Sequence, residues 1–353
     1  MINVCIVVNI DSVNEINKEF FNNLLKISDV KKVSIKETQK KDVLFFDNTK
    51  LIDNFLFNLS QKNKWVIYFD DCKEKKETFN IIYMPINFYG DIEQFKNKSF
   101  TENAKNKLIY NDLSKYYMAS IANDTLQESN FLIKVFKEFS PNKTMKILDC
   151  CCGVGRHDFE LAKKGYKITG IDISKNQIAT ANKIHSHENI EYLVHDIRDY
   201  QLNVKNYDMA ICMWTTYNYL SLNNDFLIFI KNAYNHLGEN GILLLDSKNI
   251  PSLDLNRTYS RNNKVNDISI QLLINKRIFN NIQNSQYFYF IENKEKNEFY
   301  FDEEFVRFYT IDEIQNISKP YFEIIKCYGD FNSDEYQKDS STRFILILKK
   351  RGE

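Results

Sequence analysis

The chain has 353 residues, 43% of them hydrophobic and 14% aromatic, which is enough apolar surface for a sizeable core and excludes a disordered chain or a disulfide-stapled miniprotein. Lysine plus arginine (47) balances aspartate plus glutamate (47), so bulk charge selects neither nucleic acid nor an anionic membrane over a small neutral partner. No window approaches the ~18 apolar residues of a membrane span, and MINVCIVVNIDSVNE lacks the basic flank and cleavage site of a secretory signal, so the expectation is a cytoplasmic protein with no membrane partner.

Residues 1–105 alternate short apolar runs (NVCIVVNI, DVLFFDN, KWVIYFDD, FNIIYMP) with amphipathic stretches, the pattern of a small α/β domain closed by a polar linker over 91–109. There is no glycine before Gly90, and a phosphate-cradling loop needs bare backbone. This domain is therefore read as an accessory module for packing, a protein partner or self-association. The second domain spans 106–353.

Within it, Thr125-x-x-Glu128 reads as a capping box, followed by Phe131, Leu132, Val135, Phe136 and Phe139 at helical spacing. MKILDCC is a strand, then come a glycine loop, a helix ending at Gly165, the strand YKITGIDI, and a helix opened by a second capping box, Ser174-x-x-Gln177. Strand, helix, strand, helix predicts a parallel sheet. IEYLVHD and YDMAICMW add strands, Phe226, Ile230, Ala233 and Leu237 mark another helix, and the turn LGENG leads into the strand ILLLDS. Residues 257–307 are β-prone; a capped helix at Thr310-x-x-Glu313 and two strands, YFEIIKCYG and RFILILKK, follow as an antiparallel pair at the sheet edge. The fold class expected is α/β: a doubly wound, Rossmann-like sheet with an antiparallel edge and a β-rich insertion, plus the small N-terminal α/β domain.

The loop Gly153-Val154-Gly155 lies between strand and helix, where a ligand packs on bare backbone, with Asp149 before it and Asp172 ending the next strand. The third glycine of a dinucleotide fingerprint is replaced by Asp158, a carboxylate where a pyrophosphate needs neutral or positive surroundings, which disfavours NAD and FAD. A cationic ligand carrying a ribose and no phosphate suits these carboxylates, and S-adenosylmethionine is one. The seven cysteines lack paired C-x-x-C spacing and are read as reduced thiols, with Cys150 and Cys151 packing on the sheet; the five histidines show no metal spacing, and His185 and His187 are read as solvent-facing.

Across roughly 110–350 the sequence resembles the class I S-adenosylmethionine-dependent methyltransferases, through LDCCCGVGRHDFELAKKGYKITGIDIS and the third-strand acidic motif LVHDIRDY. The resemblance implies S-adenosyl-L-methionine as cofactor. Asp149, Gly153 and Gly155 would surround its methionine half with Met213 lining that pocket, Asp172 would hold its ribose hydroxyls, Asp196 and Ile197 would reach its adenine, Arg156 and Ile173 would also bind the cofactor, and Tyr117 would serve as a lid contact. MWTTYNYL carries neither the Asn/Asp-Pro-Pro-aromatic sequence of planar-amine methylation nor a Pro-Cys nucleophile, which argues against nucleic acid as substrate. With LGENGILLLDSKN and the closing strands it resembles the branch containing nucleotide-amino-sugar N-methyltransferases. That implies a small-molecule acceptor, a sugar or nucleotide-linked amino sugar, methylated on nitrogen or oxygen under a lid formed by 257–307. Tyr217 and Asn218 would position the acceptor, and Trp214, Tyr219, Arg257, Arg307 and Arg343 would bind it. The alternative of another class is a non-catalytic, cofactor-binding regulatory or scaffolding subunit.

Overall fold

A computed structural model describes four strands within 4–85 together with residues 107–116, 124–139, 146–203, 205–250, 256–265, 267–279, 281–292 and 297–352. The chain divides into two units: Met1–Asp91, Leu255–Arg277 and Asn284–Glu303 form one, and Ile92–Asp254, Ile278–Gln283 and Glu304–Glu353 form the other.

In the first unit the apolar runs are the strands β1 (Val4–Asn9), β2 (Val43–Phe46), β3 (Trp65–Asp70) and β4 (Ile81–Pro85), in the order β2-β1-β3-β4. All their pairings are parallel, so each connection is a crossover, as an α/β pattern demands. The β-prone stretch is a second sheet of four strands in sequence order, β10 (Asn256–Val265), β11 (Ile268–Phe279), β12 (Ile282–Glu292) and β13 (Asn297–Arg307).

The second unit is built on seven strands in the order β14-β15-β9-β8-β5-β6-β7. β5 (Lys146–Cys150), β6 (Lys167–Asp172), β7 (Ile190–Val194), β8 (Tyr207–Cys212) and β9 (Leu237–Lys248) pair in parallel. β14 (Phe322–Tyr328) and β15 (Arg343–Lys350) are antiparallel, and it is β15 that pairs with β9. The helices are α1 (Thr125–Phe139), α2 (Arg156–Ala162), α3 (Lys175–Ile184), α4 (Asn223–His236) and α5 (Ile311–Ser318). Period-two alternation sends Leu148, Cys150, Ala210 and Cys212 into one core with α4 and α5, and Ile147, Met209 and Ile211 into a second with α1 and α2.

Of the three capping boxes, only Thr310 and Glu313 complete the reciprocal pair. Ser174 accepts from Gln177 N at 3.2 Å, but the Gln177 side chain turns to the carbonyl of Ile109. The box at Thr125 does not form: Asp124 caps α1, accepting from Gln127 N at 3.0 Å. Glu128 is buried and committed to Arg156 and His157, and the Thr125 hydroxyl accepts from Arg156 at 2.9 Å. The residues of the motif were recruited by charge pairing in the core. LGENG also differs from its reading as a turn, because β9 already begins at Leu237. Among the described residues no helix is long and apolar enough to cross a membrane.

Candidate cofactor and acceptor site

β5 delivers the chain into a loop whose shape is set by left-handed backbone at Cys151 (φ 78°), Gly153 (φ 57°) and Gly155 (φ 74°). The amides of Cys151 and Cys152 both donate to Ile171 O, at 2.8 and 3.0 Å, which ties the loop to the end of β6. The Asp172 carboxylate accepts Gly153 N at 3.0 Å and Ser174 N at 2.8 Å. Burial pushes its pKa up to about 6 against the pull of those two amides. Gly155 is required by a close approach, since a Cβ there would lie 1.9 Å from the hydroxyl of Tyr192. That hydroxyl sits 3.3 Å from both Gly155 O and His185 O. His185, expected to face solvent, is half-buried; its Nδ1 lies 2.6 Å from Val154 O, so the residue that ends α3 also braces the loop.

Beneath the loop are two buried acids, Asp149 from β5 and Asp158 from the first turn of α2. Burial and each other's proximity push the Asp149 carboxyl well up; burial raises Asp158 to about 7, with its bond to Asp149 opposing the rise. At the far side, Asp196 pairs with Arg198 at 2.8 Å, and Arg198 reaches Asp225 at 2.8 Å. Ile173 is half-buried and Ile197 buried nearby in sequence. Segment 107–116 lies on the start of α3: Ser174 Oγ donates to Tyr110 O, and Gln177 Nε2 to Ile109 O at 3.4 Å. Tyr117 lies outside the described residues, as does the Arg257 side chain.

The ends of β8 and β9 carry a different constellation. Trp214 and Thr215 hold left-handed backbone (φ 59° and 67°), fixed by Asp246, whose Oδ2 accepts Trp214 N at 2.7 Å. Asp246 is fully buried and takes a bidentate pair from Arg343 at 2.6 and 2.7 Å. The guanidiniums of Arg343 and Arg156 lie over the Trp214 ring at 4.6 and 5.4 Å from its centroid. The indole Nε1 donates to Glu128 at 3.1 Å, and the same carboxylate oxygen pairs with Arg156 and lies 2.6 Å from His157 Nε2. Burial alone would raise Glu128, but the His157 bond and the Arg156 charge hold it below the usual carboxylate range; burial lowers His157. Met213 is buried just before this turn.

After the turn, Tyr217 is enclosed and stacks on Phe226, and Asn218 donates to Ser247 Oγ at 2.9 Å while accepting from Tyr309 N at 3.3 Å. Tyr219 reaches a cluster the sequence did not disclose. Its hydroxyl bonds Glu304, which also pairs with the buried Lys107 at 3.3 Å, and Tyr110 OH lies 3.3 Å from Tyr219 OH. Arg307 is committed to Ser221 O, Asn223 and Glu313, and stacks on Tyr309. Of the three arginines expected to bind the acceptor, Arg307 and Arg343 are thus each bound to a carboxylate. The signals available for the missed cluster were slight: an acid inside FDEEFVRFY and a tyrosine in IYNDLSKYY.

Residues 147–241 match the family of the methyltransferase domain. This segment is a methyltransferase domain. Its cofactor is expected to be S-adenosyl-L-methionine. The putative methyltransferase YqeM of Bacillus subtilis is 34% identical over 102 residues, covering 29% of this chain and 41% of that protein. The chain spans about half or less of the curated relatives it first matches. In fold, the chain is similar to an S-adenosylmethionine-dependent methyltransferase from Clostridium acetobutylicum (TM-score 0.60, 18% identity, 69% of this chain and 98% of that one). It is similar as well to the sugar N-methyltransferase KedS8 of Streptoalloteichus (TM-score 0.59, 14% identity, 68% and 93%). The methyltransferase domain fits the cofactor on its own chemistry: orphaned buried carboxyl oxygens at Asp149 and Asp158, and a loop whose Gly153 has no atom nearer than 3.8 Å to a Cβ position.

Proposed function

We propose that the chain transfers a methyl group from S-adenosylmethionine to a small molecule, with a sugar or nucleotide-linked amino sugar as the acceptor class. The bound cofactor would supply an activated methyl on a sulfonium. Asp149, Gly153, Gly155, Arg156 and Met213 are assigned to its methionine half, Asp172 and Ile173 to its ribose, and Asp196 and Ile197 to its adenine. The observation that carries the acceptor reading is the Tyr110–Tyr219–Glu304–Lys107 cluster. Phenols offer a sugar both an apolar ring face and a hydroxyl, and a carboxylate neutralised by lysine can take a proton passed through Tyr219. Tyr217 and Asn218 fix the loop that presents Tyr219, and Trp214, held by Asp246 and Arg343, forms the neighbouring wall. The solved sugar N-methyltransferase with the same fold supports the acceptor class.

The test is a screen of labelled cofactor against nucleotide sugars, amino acids, short peptides and RNA. Label should pass to a sugar and fall at least tenfold in Tyr219→Phe and Glu304→Gln, with cofactor affinity kept. Transfer only to RNA or peptide refutes the acceptor class; tight cofactor binding with no transfer to any acceptor favours the non-catalytic subunit.

A further inference from the structure

Asp149 and Asp158 lie where sequence and register force two acids together. Asp149 pairs in register with Gly170, whose bare Cα admits the other carboxylate: a Cβ at Gly170 would stand 2.7 Å from Asp158 Oδ2 and 2.9 Å from the Tyr192 ring. Asp149 is 2% exposed and Asp158 0%. Asp149 Oδ1 and both oxygens of Asp158 have no hydrogen-bonding partner. The groups that face the pair are Asp172 on β6, Cys150 at the end of β5, Cys152 in the loop after it, Tyr192 on β7 and Cys212 on β8. None of these is a cation at any pH. Arg156, two residues before Asp158, directs its charge to Glu128 at 2.6 Å.

Two dry carboxyls in contact cannot both ionise, and one shared proton satisfies the pair. We propose that Asp158 joins Asp149 as the counter-ion of the cofactor's positive charge, so that S-adenosylmethionine binds with release of the proton the two carboxyls share. The proposal rests on the cofactor reading above. The proton passes to solvent and no covalent bond of the cofactor changes. Burial raises both carboxyls, so the pair still holds its shared proton at neutral pH.

The experiment is calorimetry of the full chain with S-adenosylmethionine in two buffers of different ionisation enthalpy, repeated across neutral pH. Close to one proton should be released near neutrality, and the Kd should weaken about tenfold per pH unit on the acid side, the limit for one linked proton. In Asp158→Asn the amide donates to an ionised Asp149, so release vanishes and affinity becomes flat with pH. Equal heats in both buffers overturn the proposal, as does undiminished release in Asp158→Asn, which would assign the proton to Asp149 alone or to Asp172. If that variant does not fold, infrared difference spectra of the unaltered chain decide: the carboxylic-acid C=O band should be lost on binding, and an unchanged band overturns the idea. Failure of the cofactor to bind sinks the cofactor reading itself, whereas binding without proton release sinks only this inference.

Discussion

The carboxyl ends of β5 and β6 and those of β8 and β9 are neighbours in one sheet, yet they are assembled from differently spaced parts of the chain. The first is local: Asp149, the left-handed turns at 151, 153 and 155, Asp158 and Asp172 all come from a single strand-loop-helix-strand. The second gathers Lys107 and Tyr110, Trp214 and Tyr219, Asp246, Glu304 and Arg343 from across the unit. The local region closes with backbone hydrogen bonds and glycines, while the dispersed one closes with buried charge. Backbone geometry tolerates little substitution but is readable in sequence; charge pairing across a fold leaves almost no sequence signature.

Separate perturbation of the two regions tests that contrast. The largest effect is expected from Arg343→Ala, which strands the fully buried Asp246 carboxylate and releases Trp214; stability should fall by about 3 to 5 kcal/mol in denaturant titrations. Cofactor affinity of the protein that remains folded should change little, and a collapse of affinity would show that the two regions are one. Next comes Gly155→Ala, which combines a left-handed residue with a Cβ driven into Tyr192; about 2 to 4 kcal/mol and cofactor binding should both be lost. Gly153→Ala, with only the Gln177 side chain at 3.8 Å, should cost about 1 kcal/mol, so equal losses at the two glycines would discredit the role given to Tyr192.

A smaller effect is expected in the pH dependence of stability. Asp158 keeps its proton in the fold up to about 7, whereas the unfolded chain loses it near the usual carboxylate value. The folded state therefore binds more protons between those limits, and its stability falls as pH rises through them, by at most about 1.4 kcal/mol per pH unit for one proton. Thermal or chemical unfolding of Asp158→Asn should show a shallower slope, the remainder coming from the raised Asp149 and Asp172; an unchanged slope would remove Asp158 as a source. The smallest effect separates two replacements of Cys151, a non-glycine at φ 78°. Cys151→Gly should be more stable than Cys151→Ala by about 1 kcal/mol, the reverse of the order at ordinary positions.

Much of the fold was legible because strands and helices alternate with clear punctuation, and the family resemblance rested on motifs within one βαβ unit. The reading failed where a residue had two uses. Thr125 and Glu128 have capping-box spacing, but a buried acid beside Arg156, His157 and Trp214 is worth more in the core than at a helix end. His185 looked exposed because its partner, Val154 O, is a backbone atom that no side-chain pattern reveals. Glu304 was unreadable because its partners come from 107 and 219, positions that only the folded sheet brings together.

The place of β15 bears on how the second unit is made. Residues 343–350 do not lie on the rim; they fill the gap between β9 and β14, with Arg343 in register with Lys248. During synthesis β9 therefore emerges with an unpaired edge and waits while residues 249–342, including all of β10 to β13, leave the ribosome. Until then Asp246 also lacks its guanidinium. The sheet is completed across a long loop after translation of nearly the whole unit, a late and slow step during which the open edge of β9 is the natural target for a chaperone or for mispairing with another nascent chain.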